Sequence, residues 1–233
     1  MGFSLTQTSE HIFYFPKKAR CIHLFTHYQP TSLEQWVEAL YNQLDITSPA
    51  HLSMTNLAAK LQIWVYTMDM NSMAIEKNGL FSINVDRRLS VKEQWEDFLH
   101  ELCHVLRHSG NQMVMPDRYV DWQEQDASAF QLYAAIPISM LKKLSLPEQK
   151  NEMVAFLSEE FQVTYRLANE RIEQIQRRVL QGILDHEYHQ FTQSQVRTYD
   201  SANWSDATRA IMNKLEYLKR KGGMADHQAS RLL

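Results

Sequence analysis

Hydrophobic and polar positions alternate with two different periods along the chain, and they predict helices on both sides of a short strand-rich stretch. Thr31 and Glu34 have the spacing of a capping box, which predicts a helix running to about Leu44. A second, shorter helix is predicted over residues 54–61. Two or three strands follow, at residues 63–67, 73–76 and 80–85. The chain therefore combines helices with a small sheet, which is the α+β fold class.

The dipeptide Asn78-Gly79 lies between the last two predicted strands and favours the tight turn of a β-hairpin. We therefore expect a small antiparallel sheet in this part of the chain. The edge of such a sheet can hold an extended peptide by strand addition. The pattern does not identify which strand forms that edge.

Beyond Pro137 the pattern is helical again, over residues 148–161 and from residue 165 to about 184. From Gln190 the composition becomes polar, and an isolated amphipathic segment covers residues 205–221. We therefore predict a main domain, a helical extension and a polar C-terminal tail, at residues 1–143, 144–190 and 191–233.

A further helix is predicted over residues 91–108, where Ser90 and Glu93 form a capping box. Its apolar stripe consists of Val91, Trp95, Phe98, Leu99, Leu102 and Leu106. His100 and His104 fall on the opposite side of the helix, so they face away from the core stripe and toward a cleft. Because two histidines and a glutamate share the polar side, a pair of ordinary core histidines fits this placement poorly.

Residues 100–104 read His-Glu-Leu-Cys-His, which is an HExxH motif. Its histidines are four residues apart, so on a helix they lie on one face about 6 Å apart along the axis and can bind one tetrahedral metal ion. Glu101 lies on an adjacent face, where it can act on a water molecule as a general base. The motif predicts a zinc peptidase with His100 and His104 as metal ligands and Glu101 as the catalytic residue.

A third metal ligand has to come from another part of the chain, and a carboxylate on a second helix is the natural source. A helix is predicted from residue 117 to about Pro137. The face of Glu124 carries side chains that allow close approach to another helix, namely Ala127, Ser128, Gln131 and Ala135. Asp126 points about 160° away and is the alternative ligand. We expect Glu124 to be the third ligand, and the other interpretation of this acidic stretch is a solvated helix start.

The other histidines lack this arrangement. His23 and His27 are also four residues apart, but leucine stands in the position of the glutamate, so we interpret the pair as structural or solvated. His186 and His189 are three residues apart and are assigned to an exposed helix end. His108 lies about 12 Å along the helix axis from the first histidine of the motif, which is too far to bind the same metal ion.

Composition and charge exclude several classes of protein. The chain has 233 residues and a formal net charge of -3, which gives no electrostatic reason to expect direct nucleic-acid binding. Cys21 and Cys103 are too few for a disulfide scaffold and favour a reducing compartment, and Cys103 is expected to be a small buried residue. No apolar run approaches 18 residues and no signal peptide is visible. We therefore expect a cytoplasmic protein that does not bind membranes.

With these features together, the chain resembles the ImmA/IrrE family of metallopeptidases. The resemblance rests on three features: the string His-Glu-Leu-Cys-His-Val-Leu-Arg-His at residues 100–108, the 20-residue spacing from His104 to Glu124, and Glu124-x-x-Ala127-x-x-Phe130 before Pro137. It covers about residues 50–180.

This resemblance implies a zincin-like domain, in which a small antiparallel sheet packs on the motif helix, with a helical C-terminal extension. It implies that His100, His104 and Glu124 bind Zn²⁺ and that Glu101 is the catalytic base. It also implies a phage or mobile-element anti-repressor, an endopeptidase that cuts a helix-turn-helix transcriptional repressor. One departure is Ser128, where the family often has asparagine, and this bears on substrate preference rather than on the chemistry.

Two other functions remain open at this point. A catalytically silent protein of the same fold could bind and sequester the repressor, although the intact Glu101 argues against it. A DNA-binding regulator could use a helix-turn-helix around Val163 and a structural metal, although the acidic net charge disfavours it and a structural site would use four protein ligands. The sequence does not fix the cleavage site, the activating signal or the oligomeric state.

Overall fold

The computed structural model describes residues 25–77, 79–109, 115–195 and 204–229. In chain order the elements are α1 (Ser32–Gln43), a 3-10 turn (Pro49–His51), α2 (Met54–Leu61), β1 (Trp64–Met68), β2 (Met73–Lys77), β3 (Leu80–Asp86), α3 (Val91–Arg107), α4 (Asp117–Ala135), α5 (Ile138–Leu141), α6 (Lys150–Glu160), α7 (Tyr165–Gln195) and α8 (Asp206–Ala229). The α+β class is confirmed. None of the described helices combines the length and apolar character needed to cross a bilayer.

The predicted helix bounds agree with the structure to within a few residues in most places. The two C-terminal helices are longer than predicted, because α7 continues to Gln195 and α8 to Ala229. The chain forms two compact units, Met1–Leu184 and Asp185–Leu233. Cys21, His23 and Asn78 lie outside the described residues.

The three strands form a mixed sheet in the order β1-β3-β2. β2 and β3 pair antiparallel, as the hairpin signal predicts, but β1 pairs parallel with β3, so the antiparallel expectation does not extend to β1. The reason is topological: the chain reverses direction twice after β1, and β3 returns between the other two strands. Ile83 in β3 therefore has Val65 on one side and Ala74 on the other. Both β1 and β2 are edge strands.

One face of β3 and the apolar side of α3 form the core around the motif. Ile83 and Val85 are fully buried. The buried apolar residues of α3 are Trp95, Phe98, Leu99, Leu102 and Cys103. Val91, the first residue of the predicted stripe, is 78% exposed, so the stripe begins one turn later than the sequence indicates. Burial of this stripe fixes the rotation of α3 about its axis and turns the opposite side toward the cleft.

The two predicted capping boxes differ in the structure. At α3 the box is complete: Glu93 N–H donates to Ser90 Oγ at 3.3 Å, and Ser90 N–H donates to Glu93 Oε2 at 2.9 Å. At α1 only half of it forms, because Glu34 N–H donates to Thr31 Oγ1 at 3.1 Å while the Glu34 side chain binds Arg171. A tertiary ion pair has replaced the local hydrogen bond that the sequence predicts.

This buried ion pair ties α7 to α1. The side chains of Arg171 and Glu34 are 0% and 1% exposed, and Arg171 Nη2 lies 2.5 Å from Glu34 Oε1. Tyr28 donates its hydroxyl proton to the same carboxylate, and Arg171 Nε donates to Ile136 O at 3.0 Å. The Arg171 guanidinium also lies 5.0 Å above the ring of Tyr133 in α4. The first half of α7 therefore packs into the same unit as the sheet and the motif helix.

We expect the substitution Arg171→Leu to lower the free energy of unfolding by about 3–5 kcal/mol, because it leaves the Glu34 carboxylate buried without its cation. Urea unfolding followed by circular dichroism measures this loss. Arg87→Leu is the matched control: it breaks an ion pair with Asp69 whose side chains are 61% and 56% exposed, and it should cost less than about 1 kcal/mol. Equal losses in the two variants would contradict the structural role given to Arg171.

Candidate metal site

His100 and His104 lie one turn apart on α3 and point to the same place. Their ring centroids are 5.1 Å apart. His100 Nε2 lies 3.1 Å from Glu124 Oε2, and His104 Nε2 lies 3.4 Å from Glu124 Oε1. The candidate ligand atoms of the three side chains are all within 4.8 Å of one another. The structure thus brings together the three residues that the sequence nominates as metal ligands.

Close packing of α4 against α3 brings Glu124 to the two histidines. On the same face of α4, Ala127 is completely buried, and its single methyl group lets the two helices approach. Two turns beyond Glu124, the Gln131 side chain donates through Nε2 to Glu96 O at 2.9 Å. This hydrogen bond fixes α4 along the length of α3. Glu124, 20 residues beyond His104 in sequence, is therefore held in register with the motif.

Glu101 faces the sheet side of the same cleft. Its Oε2 accepts a hydrogen bond of 2.7 Å from the backbone N–H of Ala74 in β2. Burial raises the pKa of the Glu101 carboxyl, and the neighbouring His100 and the Ala74 N–H offset part of this rise. A carboxyl group shifted toward neutral pH is suited to accept a proton and release it again.

The cleft between β2 and α3 has a volume of about 780 Å³. Residues that line it include Met73, Ala74 and Ile75 on the strand side and His100, Glu101, His104 and Glu124 on the helical side. A volume of this size admits several residues of a peptide rather than a single small ion. The candidate ligands and the candidate base therefore face one common space.

The chemistry of the donor set fits zinc. Burial lowers the pKa of His104 to about 4, so its imidazole is neutral at pH 7 and can offer a lone pair to a cation. Two imidazole nitrogens and one carboxylate are the ligands of many catalytic zinc sites, in which a fourth position stays open. His100, His104 and Glu124 supply that set from two helices.

Asp126, the alternative ligand, does not join the histidine pair. Its Oδ2 accepts from Arg107 Nε at 2.9 Å and lies 3.3 Å from His108 Nε2. Burial alone would raise the pKa of Asp126, but the hydrogen bond and the charge of Arg107 hold it below the ordinary value. Asp126 is therefore an ionised carboxylate on the other side of the ligand histidines. With Cys103, it belongs to a second group of potential ligands.

Sequence reasoning missed the contact of His108 with the site. Its distance along the axis excludes it as a ligand together with His100, yet its Nδ1 lies 2.9 Å from Nδ1 of His104. The signal was available: His108 follows His104 by four residues, so it continues the same helical face.

The other closely spaced histidines of the sequence do not form a group of potential ligands within the part of the chain that the structure describes. His186 contacts Gln190 through Nε2 at 2.9 Å on an exposed stretch of α7. Among the described residues, only His100/His104/Glu124 and Cys103/His108/Asp126 group three or more potential ligands within reach of one ion.

Comparison with known proteins agrees with this geometry. The family model described as "Peptidase_M78: IrrE N-terminal-like domain" matches residues 58–173. The chain is 40% identical over 146 residues to "Phage-like element PBSX protein XkdA" of Bacillus subtilis (strain 168), an alignment that covers 63% of this chain and 74% of XkdA. It is 31% identical over 156 residues to YqaB of the same organism, covering 67% of this chain and 91% of YqaB.

The chain belongs to the ImmA/IrrE family. The matched region runs from α2 into the first turns of α7, and it includes every residue placed at the cleft. The fold that the family implies is therefore the fold in which these residues converge.

We expect Glu124→Ala to reduce the zinc bound per chain to a small fraction of the native amount, because two imidazoles alone hold the ion weakly. Elemental analysis after dialysis measures this. Asp121→Ala is the control, since it removes an exposed carboxylate from the same helix one turn earlier. Native zinc content in the Glu124 variant would rule this residue out as a ligand.

Proposed function

We propose that this protein is a zinc-dependent endopeptidase that cuts a helix-turn-helix transcriptional repressor in the cytoplasm and so derepresses phage or mobile-element genes. One observation carries the proposal: the candidate ligand set and the half-buried carboxylate of Glu101 face a single cleft bordered by the edge strand β2. Metal-assisted hydrolysis of a peptide bond requires metal ligands, a general base and a place for an extended peptide.

In this proposal His100, His104 and Glu124 hold the zinc ion. When bound, zinc supplies a Lewis acid that polarises a carbonyl group and promotes the ionisation of water. The Glu124 carboxylate contributes a negative charge that imidazole ligands lack, which favours a divalent cation between the two histidines. The remaining steps depend on side chains and backbone groups of this chain.

Glu101 is the proposed general base. Its carboxylate takes a proton from the attacking water and later delivers it to the nitrogen of the leaving amine. The 2.7 Å hydrogen bond from Ala74 holds one carboxylate oxygen, so the other oxygen can be directed at the reacting water. Burial raises the pKa of Glu101 and so makes this carboxylate a better proton acceptor.

Substrate capture is assigned to β2. The N–H of Ala74 bonds to Glu101 instead of to β3, so this backbone group points toward the cleft. A peptide in extended conformation can add to such an edge and place its carbonyl carbon near the ligand set. An intact helix has no backbone groups left for this pairing. The target segment is therefore an accessible, extended linker of a folded repressor.

The similarity to a protein of the phage-like element PBSX supports the phage or mobile-element setting. A helix-turn-helix DNA reader within this chain remains the disfavoured alternative, because the formal net charge of -3 gives no electrostatic reason for DNA binding. The role assigned to the repressor partner is therefore that of a substrate, and DNA binding is left to the repressor.

Glu101→Gln should bind zinc as the native chain does and cleave at least about 10²-fold more slowly, because the amide keeps the shape of the side chain and loses the proton acceptor. Turnover of a peptide spanning the repressor linker and zinc per chain are the two measurements. Glu148→Gln, the same change at an exposed position outside the cleft, should leave both values unchanged. Near-native turnover by the Glu101 variant would reject the assigned base, and derepression by that variant without cleavage would favour the sequestering alternative.

The C-terminal tail is proposed to help recognise the repressor. In α8, Ile211, Leu215 and Leu218 form an exposed apolar stripe, with exposed fractions of 63%, 45% and 55%. Deleting the residues after Gln190 should slow cleavage of the folded repressor and leave zinc content and cleavage of the short peptide unchanged. The paired variants Leu215→Ser and Lys214→Ser refine the test, since only the first removes an apolar contact. Cleavage of the repressor at the native rate by the truncated chain would exclude a recognition role.

A further inference from the structure

A continuous series of polar contacts runs from the candidate metal site into the protein, through a histidine that the proposed reaction does not use. His104 Nδ1 lies 2.9 Å from His108 Nδ1, and His108 Nε2 lies 3.3 Å from Asp126 Oδ2. The side chains of His108 and Asp126 are 4% and 14% exposed, so the contacts are largely shielded from water. These contacts join one residue of α3, the residue that follows its end and one residue of α4.

With a metal ion bound through Nε2 of His104, these hydrogen bonds can run in one direction only. Nε2 of His104 faces Glu124, so its lone pair is the one available to a metal ion, and the proton of the neutral ring lies on Nδ1. That proton can be donated to His108 only if Nδ1 of His108 is unprotonated. The proton of the neutral His108 ring is then on Nε2, where the carboxylate of Asp126 accepts it. The tautomer of His104 therefore determines the tautomer of His108.

We propose that His108 and Asp126 are positioning residues that hold the ring of His104 in its metal-binding tautomer and orientation. This inference rests on the proposed function, since it assigns His104 as a zinc ligand. Hydrogen bonds from the second nitrogen of a ligand histidine to such partners fix the ring and strengthen its basicity. The carboxylate here acts through an intervening imidazole, which extends its reach by one side chain.

The surroundings hold the two positioning residues in place. The His108 ring lies between His104 and Trp122, at centroid distances of 4.9 and 5.9 Å. Arg107 binds the same oxygen of Asp126 through Nε at 2.9 Å and packs over the ring of Trp36 at 5.1 Å. The carboxylate is thus fixed by a cation on one side and directed at His108 on the other.

A second metal ion is the competing explanation for this cluster, because Cys103, His108 and Asp126 lie within reach of one ion. Two observations oppose it. The guanidinium of Arg107 already occupies the Asp126 oxygen and would repel a cation. Cys103 is completely buried, and burial raises the pKa of its thiol, which keeps it protonated and a poor ligand.

The test compares His108→Phe with His108→Gln in the full-length chain, with Zn²⁺ alone as the probe. Phenylalanine keeps the ring packing and removes both nitrogens, whereas the glutamine amide can accept from His104 and donate to Asp126 as the imidazole does. Competition with a chromophoric chelator at neutral pH should show zinc affinity reduced about 10–100-fold in the Phe variant and largely restored in the Gln variant. Asp126→Ala should match the Phe variant, and zinc should remain one per chain at saturation in all of them.

The tautomers of His104 and His108 provide a second measurement, which a general loss of stability would not change. Long-range proton–nitrogen NMR spectra of the zinc-loaded native chain should place the proton of His104 on Nδ1 and that of His108 on Nε2. The opposite tautomers, native affinity in the Phe variant, or equal losses in the Phe and Gln variants would each overturn the positioning role alone. If the native protein binds a second zinc ion and Cys103→Ser loses it, then Cys103, His108 and Asp126 form a metal site and the positioning role is wrong. Absence of zinc binding by the native chain would overturn the proposed function as well as this inference.

Discussion

The packing of α3 against α4 is the contact on which the proposed metal site depends. Two side chains of the proposed site come from α3 and the third comes from α4. The site therefore exists only while the two helices keep their separation and register. The fully buried Ala127 permits the close approach, and the Gln131 hydrogen bond to Glu96 O fixes the register. A displacement of one residue along α4 would rotate Glu124 by about 100° and remove its carboxylate from the histidines.

The same packing brings α4 against a column of three histidines, two within α3 and the third at the residue that ends it. His100, His104 and His108 are spaced by four residues, so each contacts the next along one face. Within one turn of α4, two carboxylates face the two ends of this column: Glu124 faces the first pair and Asp126 faces the last ring. The proposed ligands and the residues proposed to support them therefore lie on α3, on α4 and at the residue that ends α3.

The sheet and the C-terminal half of the first unit supply the frame for this pair. β2 is an edge strand whose Ala74 N–H holds Glu101, so the proposed base is oriented by the strand to which the proposed function assigns peptide binding. The Arg171–Glu34 ion pair ties α7 to α1 on the other side of the core. Such a pair contributes little net stability when formed, but leaving either charge buried alone is strongly unfavourable. The ion pair therefore favours those arrangements of the core in which Arg171 and Glu34 are in contact.

The sequence by itself determined the features that depend on contacts within a few residues. The capping box at Ser90, the bounds of α2 and the shared face of His100 and His104 follow from local hydrogen bonds and from the period of the helix. Only the tertiary structure decided the central place of β3, because strand order is set by packing between distant segments. For the same reason Glu34 is bound by Arg171 rather than by its own helix. Long-range burial outweighs a local preference of about 1 kcal/mol.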